Sequence, residues 1–96
     1  MVETDIIETR NGAAMGIMIN MPHTKLVIIR GEKGYLACGY ISPETVERLK
    51  DAAVIIKGVN SFDKMLNGKI YYVSKAARKL GIKKSMTPKQ ALELMI

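Results

Sequence analysis

The chain has 96 residues, 48% of them apolar, and a formal net charge of +6. That length suits one domain, residues 1–96, and no apolar run approaches the ~20 residues a membrane-spanning helix needs. One cysteine excludes an internal disulfide, and with one histidine it cannot close a zinc site, so neither metal nor cofactor is expected.

The N-terminal stretch "MVETDIIETR" is acidic and alternating, unlike a signal peptide, and points to a cytoplasmic protein with no membrane partner. It runs into Asn11-Gly12, a dipeptide that favours a two-residue type I′ hairpin turn. With Asn11 and Gly12 as the loop, Arg10 faces Ala13, Ile6 faces Ile17 and Val2 faces Met21. Val2, Ile6, Met15, Ile17, Ile19 and Met21 then share one face. The more polar face carries Glu3, Asp5, Ile7, Thr9, Ala14, Gly16, Met18 and Asn20, with Ile7 and Met18 as candidates for contact with another subunit. Pro22 ends the second strand. "KLVIIRG" predicts a third strand, apolar on both faces, and "YLACGYI" a fourth that ends at Ile41. Short turns between the four favour an antiparallel meander.

Ser42-Pro43-Glu44 marks a helix start: a hydroxyl N-cap, proline at the first helical position and an acid in the first turn. Val46, Leu49 and Ala53 form its apolar stripe. "AAVIIKGV" predicts a fifth strand. Ser61 caps a short helix through Leu66. Val73, Ala76, Ala77 and Leu80 predict an amphipathic helix stopped by Gly81, and Thr87-Pro88 opens a last helix with Ala91, Leu92 and Met95 inward. Strands first and helices after predict an α+β fold in two layers. A largely antiparallel sheet of about five strands carries the C-terminal helices on one face. Residues 1–41 form a β-rich oligomerisation region, because their strands carry surplus apolar faces. Residues 42–96 are helix-rich with one further strand.

Three segments in order, "GYLACG" at 34–39, "GVNSFDKML" at 58–66 and "AARKLGIKKSMTPKQALELM" at 76–95, resemble the YunC-like family, a bacterial and archaeal domain of unknown function. The resemblance runs from about Pro22 to the C-terminus. Gly34, Tyr35, Cys38 and Gly39 match one family pattern, and Gly58, Val59, Ser61, Asp63 and Leu66 match a second. Ser85 departs from it, standing where glycine is expected before Met86. The resemblance implies a small α+β two-layer domain whose N-terminal β-region makes a homotetramer. It implies no activity.

Three features bear on chemistry. Cys38 lies before the Ser42 helix start, where a thiol pKa can fall, so it is a candidate catalytic nucleophile at a subunit-interface site. The sole candidate base is His23, in the loop after Pro22. Alternatively, Cys38 is a small apolar strand residue. The stretch Lys57, Gly58, Asn60, Ser61 and Asp63 leads from a strand into a helix start and is a candidate ligand-binding loop, though not a P-loop. Asn60 and Asp63 could instead serve as capping residues. A pocket between this loop and the end of the Cys38 strand is conceivable, since ligands gather at strand ends. Charge is uneven: residues 1–52 hold six Lys/Arg and seven Asp/Glu, residues 53–96 nine and two. The basic positions Lys75, Arg78, Lys79, Lys83, Lys84 and Lys89 make either a solvated face or a weak, non-specific nucleic-acid surface. The seven-residue turn between the last two helices is too long for a helix-turn-helix, and no aromatic-basic interleaving offers base stacking. These features lead to an assembly or ligand-binding module, with a Cys38 enzyme and a basic accessory protein as alternatives.

Overall fold

The computed structural model describes residues 1–96. In chain order the elements are β1 (Val2–Thr9), β2 (Gly12–Asn20), β3 (Lys25–Arg30), β4 (Tyr35–Ala37), α1 (Pro43–Leu49), β5 (Ala53–Ile55), α2 (Phe62–Leu66), β6 (Tyr72–Val73), α3 (Lys75–Lys79) and α4 (Pro88–Glu93). The fold is α+β. One sheet of six strands runs in sequence order, β1 to β6. Every pairing is antiparallel except β4 with β5, which run parallel. Parallel neighbours cannot be joined by a hairpin, and α1 supplies the crossover.

The strand count is six rather than five. Val73, read from sequence as the first residue of a helical stripe, instead pairs with Val54, and Tyr72 with Ile55, as β6. Two residues are too few for periodicity to separate strand from helix. α3 begins at its N-cap, Ser74, whose hydroxyl accepts from the Ala77 N–H. The same oxygen accepts from the Ala53 N–H at 2.9 Å and donates to the Asp51 carbonyl at 2.8 Å. One fully buried hydroxyl thus uses its donor and both acceptor positions to join β5, the turn before it and α3.

The helices do not all lie on one face. α2 lies over β3, α4 over β4 and α3 over β5. They close the main core with Val27, Ile29, Leu36, Val54, Ile56 and Met65. α1 covers the opposite face at the far edge, where Val46 packs with Ala53, Ile55 and the half-buried Tyr35, Ile41 and Tyr72. α1 turns only Val46 fully inward. Leu49, expected on its buried stripe, is 58% exposed, since the helix stops at Lys50 in a left-handed cap.

The β1–β2 hairpin is offset by two residues from the expected register. Thr9 pairs with Gly12, Ile6 with Met15 and Val2 with Ile19. The loop residues are Arg10 and Asn11, neither with positive φ, so the turn is not type I′; Gly12 alone carries a positive φ, +143°. Tertiary contacts account for the choice. Asn11 Nδ2 donates to the Glu93 carbonyl at 2.9 Å, and a Cβ on Gly12 would meet Ile96 at 2.7 Å. Thr9 Oγ1 donates to the Gly12 carbonyl and accepts from the Asn11 N–H.

An offset of two keeps every side chain on its face. The expected roles of the two faces are nevertheless reversed. Ala14 and Met18 are buried beneath the helices and Ile7 packs against the same core, so Ile7 and Met18 are not free to meet another subunit. The reason is Gly16: Phe62 lies where a Cβ would stand, 2.7 Å away, and this face of small residues lets α2 come close. The other face of β1–β3, with Val2, Ile6, Met15, Ile17, Ile19 and Ile28, has no helix over it.

Replacing Ser74 with alanine strands the Ala53 and Ala77 N–H groups. The expected outcome is a loss of about 2 kcal/mol in urea unfolding, more than an ordinary cap removal.

Candidate functional site

Parallel strands leave both their carboxyl ends at the same end of the sheet, and there the chain folds around a cavity of about 340 Å³. Thr24 and Lys25 line it from the start of β3, Cys38, Gly39 and Tyr40 from the segment after β4, and Gly58, Val59 and Asn60 from the segment after β5. The two stretches singled out from sequence therefore meet. Gly58 holds a positive φ of 74°, which turns the chain away from the sheet. Lys57 stands beside the cavity. Its Cγ lies 3.6 Å from where a Gly39 Cβ would be, and its ammonium sits 3.8 Å above the Tyr71 ring.

The remaining loop candidates serve α2. Ser61 Oγ accepts from the Lys64 N–H at 3.1 Å as N-cap. Asp63 occupies the first turn, and its carbonyl accepts from Asn67 Nδ2. Neither lines the cavity.

Cys38 forms part of the core beneath the cavity. It is 3% exposed, its Sγ accepts from the Val27 N–H at 3.3 Å, and its own N–H donates to the Val27 carbonyl. Regular strand geometry stops at Ala37, earlier than Ile41. Tyr40 lies beyond the regular strand and is 46% exposed. His23 is exposed and makes no hydrogen bond to Cys38. Thr24, Lys25 and Tyr40 are cavity residues that sequence reading missed. The one available signal was that Lys25 opens a strand directly after the short loop that holds Pro22 and His23.

On the face that α1 covers two tyrosines meet carboxylates, Tyr35 at the amino end of β4 and Tyr72 opposite Ile55, the last residue of β5. Tyr35 donates to Asp51 Oδ2 at 2.6 Å, and burial first, then this bond, holds its hydroxyl well above the ordinary tyrosine range. Tyr72 donates to Glu47, which raises its pKa as well. Glu47 also accepts from the Lys75 N–H and borders a recess of about 480 Å³ with Lys50, Lys75 and Lys79. The other basic positions, Arg78, Lys83, Lys84 and Lys89, are exposed along α3, the following turn and α4. These helices span five and six residues, under two turns each, and neither has the length of a recognition helix. No three His, Cys, Asp or Glu side chains come close enough together to hold a metal ion.

A small α+β domain with a cavity at the carboxyl ends of one parallel strand pair is the class that fold and site define. Residues 37–95 match the domain of unknown function DUF1805, and the chain belongs to this family. It is 29% identical over 84 residues to the uncharacterized protein YunC of Bacillus subtilis, covering 83% of each chain. It superposes on the crystal structure of a protein of unknown function from Thermoplasma acidophilum with a TM-score of 0.94 at 30% identity, covering all of this chain and 94% of that one.

Two measurements follow from this geometry. Because Cys38 is in the core, a thiol reagent is expected to label it only on unfolding. Rapid labelling of the native protein would make it an accessible nucleophile. For Tyr35, the folded-state pKa lies above the unfolded value of 10.0, so its contribution is complete below pH 10 and is lost as pH rises beyond it. The difference in urea midpoint between wild type and Tyr35→Phe should shrink above pH 10 and stay level below it.

Proposed function

We propose that the chain is a cytoplasmic, self-assembling ligand-binding module: a homotetramer built through its N-terminal strands, with a small-molecule site at the carboxyl ends of β4 and β5. The observation that carries the reading is the bare half of the sheet. Val2 is 63%, Ile6 60% and Met15 48% exposed, and they adjoin the half-buried Ile17, Ile19 and Ile28. Isolated chains rarely leave so continuous an apolar face in water. A second copy is the favoured occupant because a two-fold contact sets the same patch against itself, apolar on apolar. The edge of β1 is the poorer surface, since the Asp5 carboxylate takes up the Ile6 N–H at 2.8 Å and Glu3, Asp5 and Glu8 add like charge. The YunC-like resemblance supports four copies, and the buried lone thiol suits a reducing compartment. The basic α3–α4 surface gives nucleic acid at most a non-specific role.

Ile6 and Met15 contribute little to the core of a single chain, so Ile6→Lys with Met15→Lys should leave the circular dichroism spectrum intact. Light scattering should show a four-chain mass for the wild type at micromolar concentration and a one-chain mass for the variant. A wild type that runs as one chain removes the assembly reading.

A further inference from the structure

We infer that the cavity at the carboxyl ends of β4 and β5 binds a small organic anion through a phosphate or carboxylate group. The inference rests on the ligand-binding part of the reading above and adds the chemical class.

Three independent observations converge. The first is place: the cavity lies at the carboxyl ends of the single parallel pair, where open α/β sheets take their ligands. At about 340 Å³ it has the size of a small-metabolite site. The second is charge. Lys25 lines the cavity and Lys57 stands beside it, while no Asp or Glu contributes to the wall. The Lys57 ammonium rests 3.8 Å above the ring of Tyr71, a residue outside the cavity wall, while its stem passes Gly39, so the flexible side chain can turn its ammonium toward a ligand. The third is donors. The backbone N–H groups of Gly39, Tyr40, Gly58, Val59 and Asn60 donate to no acceptor within the chain. Main-chain donors left free around one recess, together with the Lys25 ammonium, match an anionic oxygen. Val59 and the Tyr40 ring provide the apolar surface for the organic part of the ligand. Cys38, already in the core, has no covalent role here.

The test is an amide-resolved NMR titration of the 15N-labelled full chain with inorganic phosphate, with succinate, and with sodium chloride at matched ionic strength. Saturable shifts at Gly39, Gly58 and Asn60 are expected with one of the two anions, and the one that saturates at lower concentration assigns phosphate or carboxylate. Lys25→Gln and Lys57→Gln keep the side-chain stems, and each should weaken that binding about tenfold, with the remaining amides unmoved. Saturation by neither anion, shifts reproduced by sodium chloride, or unchanged affinity in both variants would overturn the inference. Light scattering on the same samples judges assembly separately. An assembled protein that binds neither anion loses only the site, and a single chain that binds one loses only the assembly.

Discussion

The organising constraint is the parallel pairing of β4 with β5. Two neighbouring strands that point the same way need a connection that crosses a sheet face, and α1 is that connection. Once α1 occupies one face, the later helices have the other face for their core. α1 is seven residues long and covers only the β4–β6 end. The β1–β3 end of that face is left bare, with its isoleucines and methionine toward solvent. The apolar surplus of the N-terminal half and the asymmetry of the helical layers thus have one geometric cause.

The same pairing separates the sheet into a stitched end and an open end. At the amino ends of β4 and β5, Ser74 makes three hydrogen bonds and Tyr35 meets Asp51. The C-terminal segment adds a further brace, with the Lys33 N–H donating to the Met95 carbonyl. A Cβ on Gly31 would lie 2.2 Å from that carbonyl oxygen, and one on Gly34 2.3 Å from the Ala52 carbonyl oxygen. Side chains at either position would push the braced segments apart. At the carboxyl ends Cys38 bonds Val27 through both its N–H and its Sγ, while the N–H groups of Gly39, Tyr40, Gly58, Val59 and Asn60 beyond it bond nothing within the chain. Rigidity at one end and available donors at the other suit a site held by a fixed scaffold.

Much of the local structure was legible in the sequence because its signals are short-range. Ser42, Ser61 and Thr87 each act as N-caps where a hydroxyl precedes the helix, and the Thr87–Gln90 capping box closes as the residue types allow. Cys38 and the loop beginning at Lys57 were both visible as candidates. Strand-end reasoning raised a pocket between them, and the parallel placing of β5 beside β4 is what brings them together. Lys25 and Tyr40 were not found, because their membership depends on where β3 starts and where β4 stops regular pairing. Ser74 was missed for a related reason: Val73 fits a helical stripe as well as a strand, and pairing with β5 resolved the ambiguity.

By itself the sequence determined the α+β class, the order of the first four strands, three of the four helix starts and which hairpin residues share a face. These follow from caps, breakers and a side-chain period of two, which survives even the register offset of β1 on β2. Only the tertiary structure decided which hairpin face is buried. Alternation sorts side chains into two sets but does not say which set meets a helix. Gly16 resolved that by admitting Phe62, and the set with more apolar bulk was left outside. The hairpin turn, the sixth strand and the union of two distant loops around one cavity were likewise decided by contacts between residues far apart in the chain, which local periodicity does not encode.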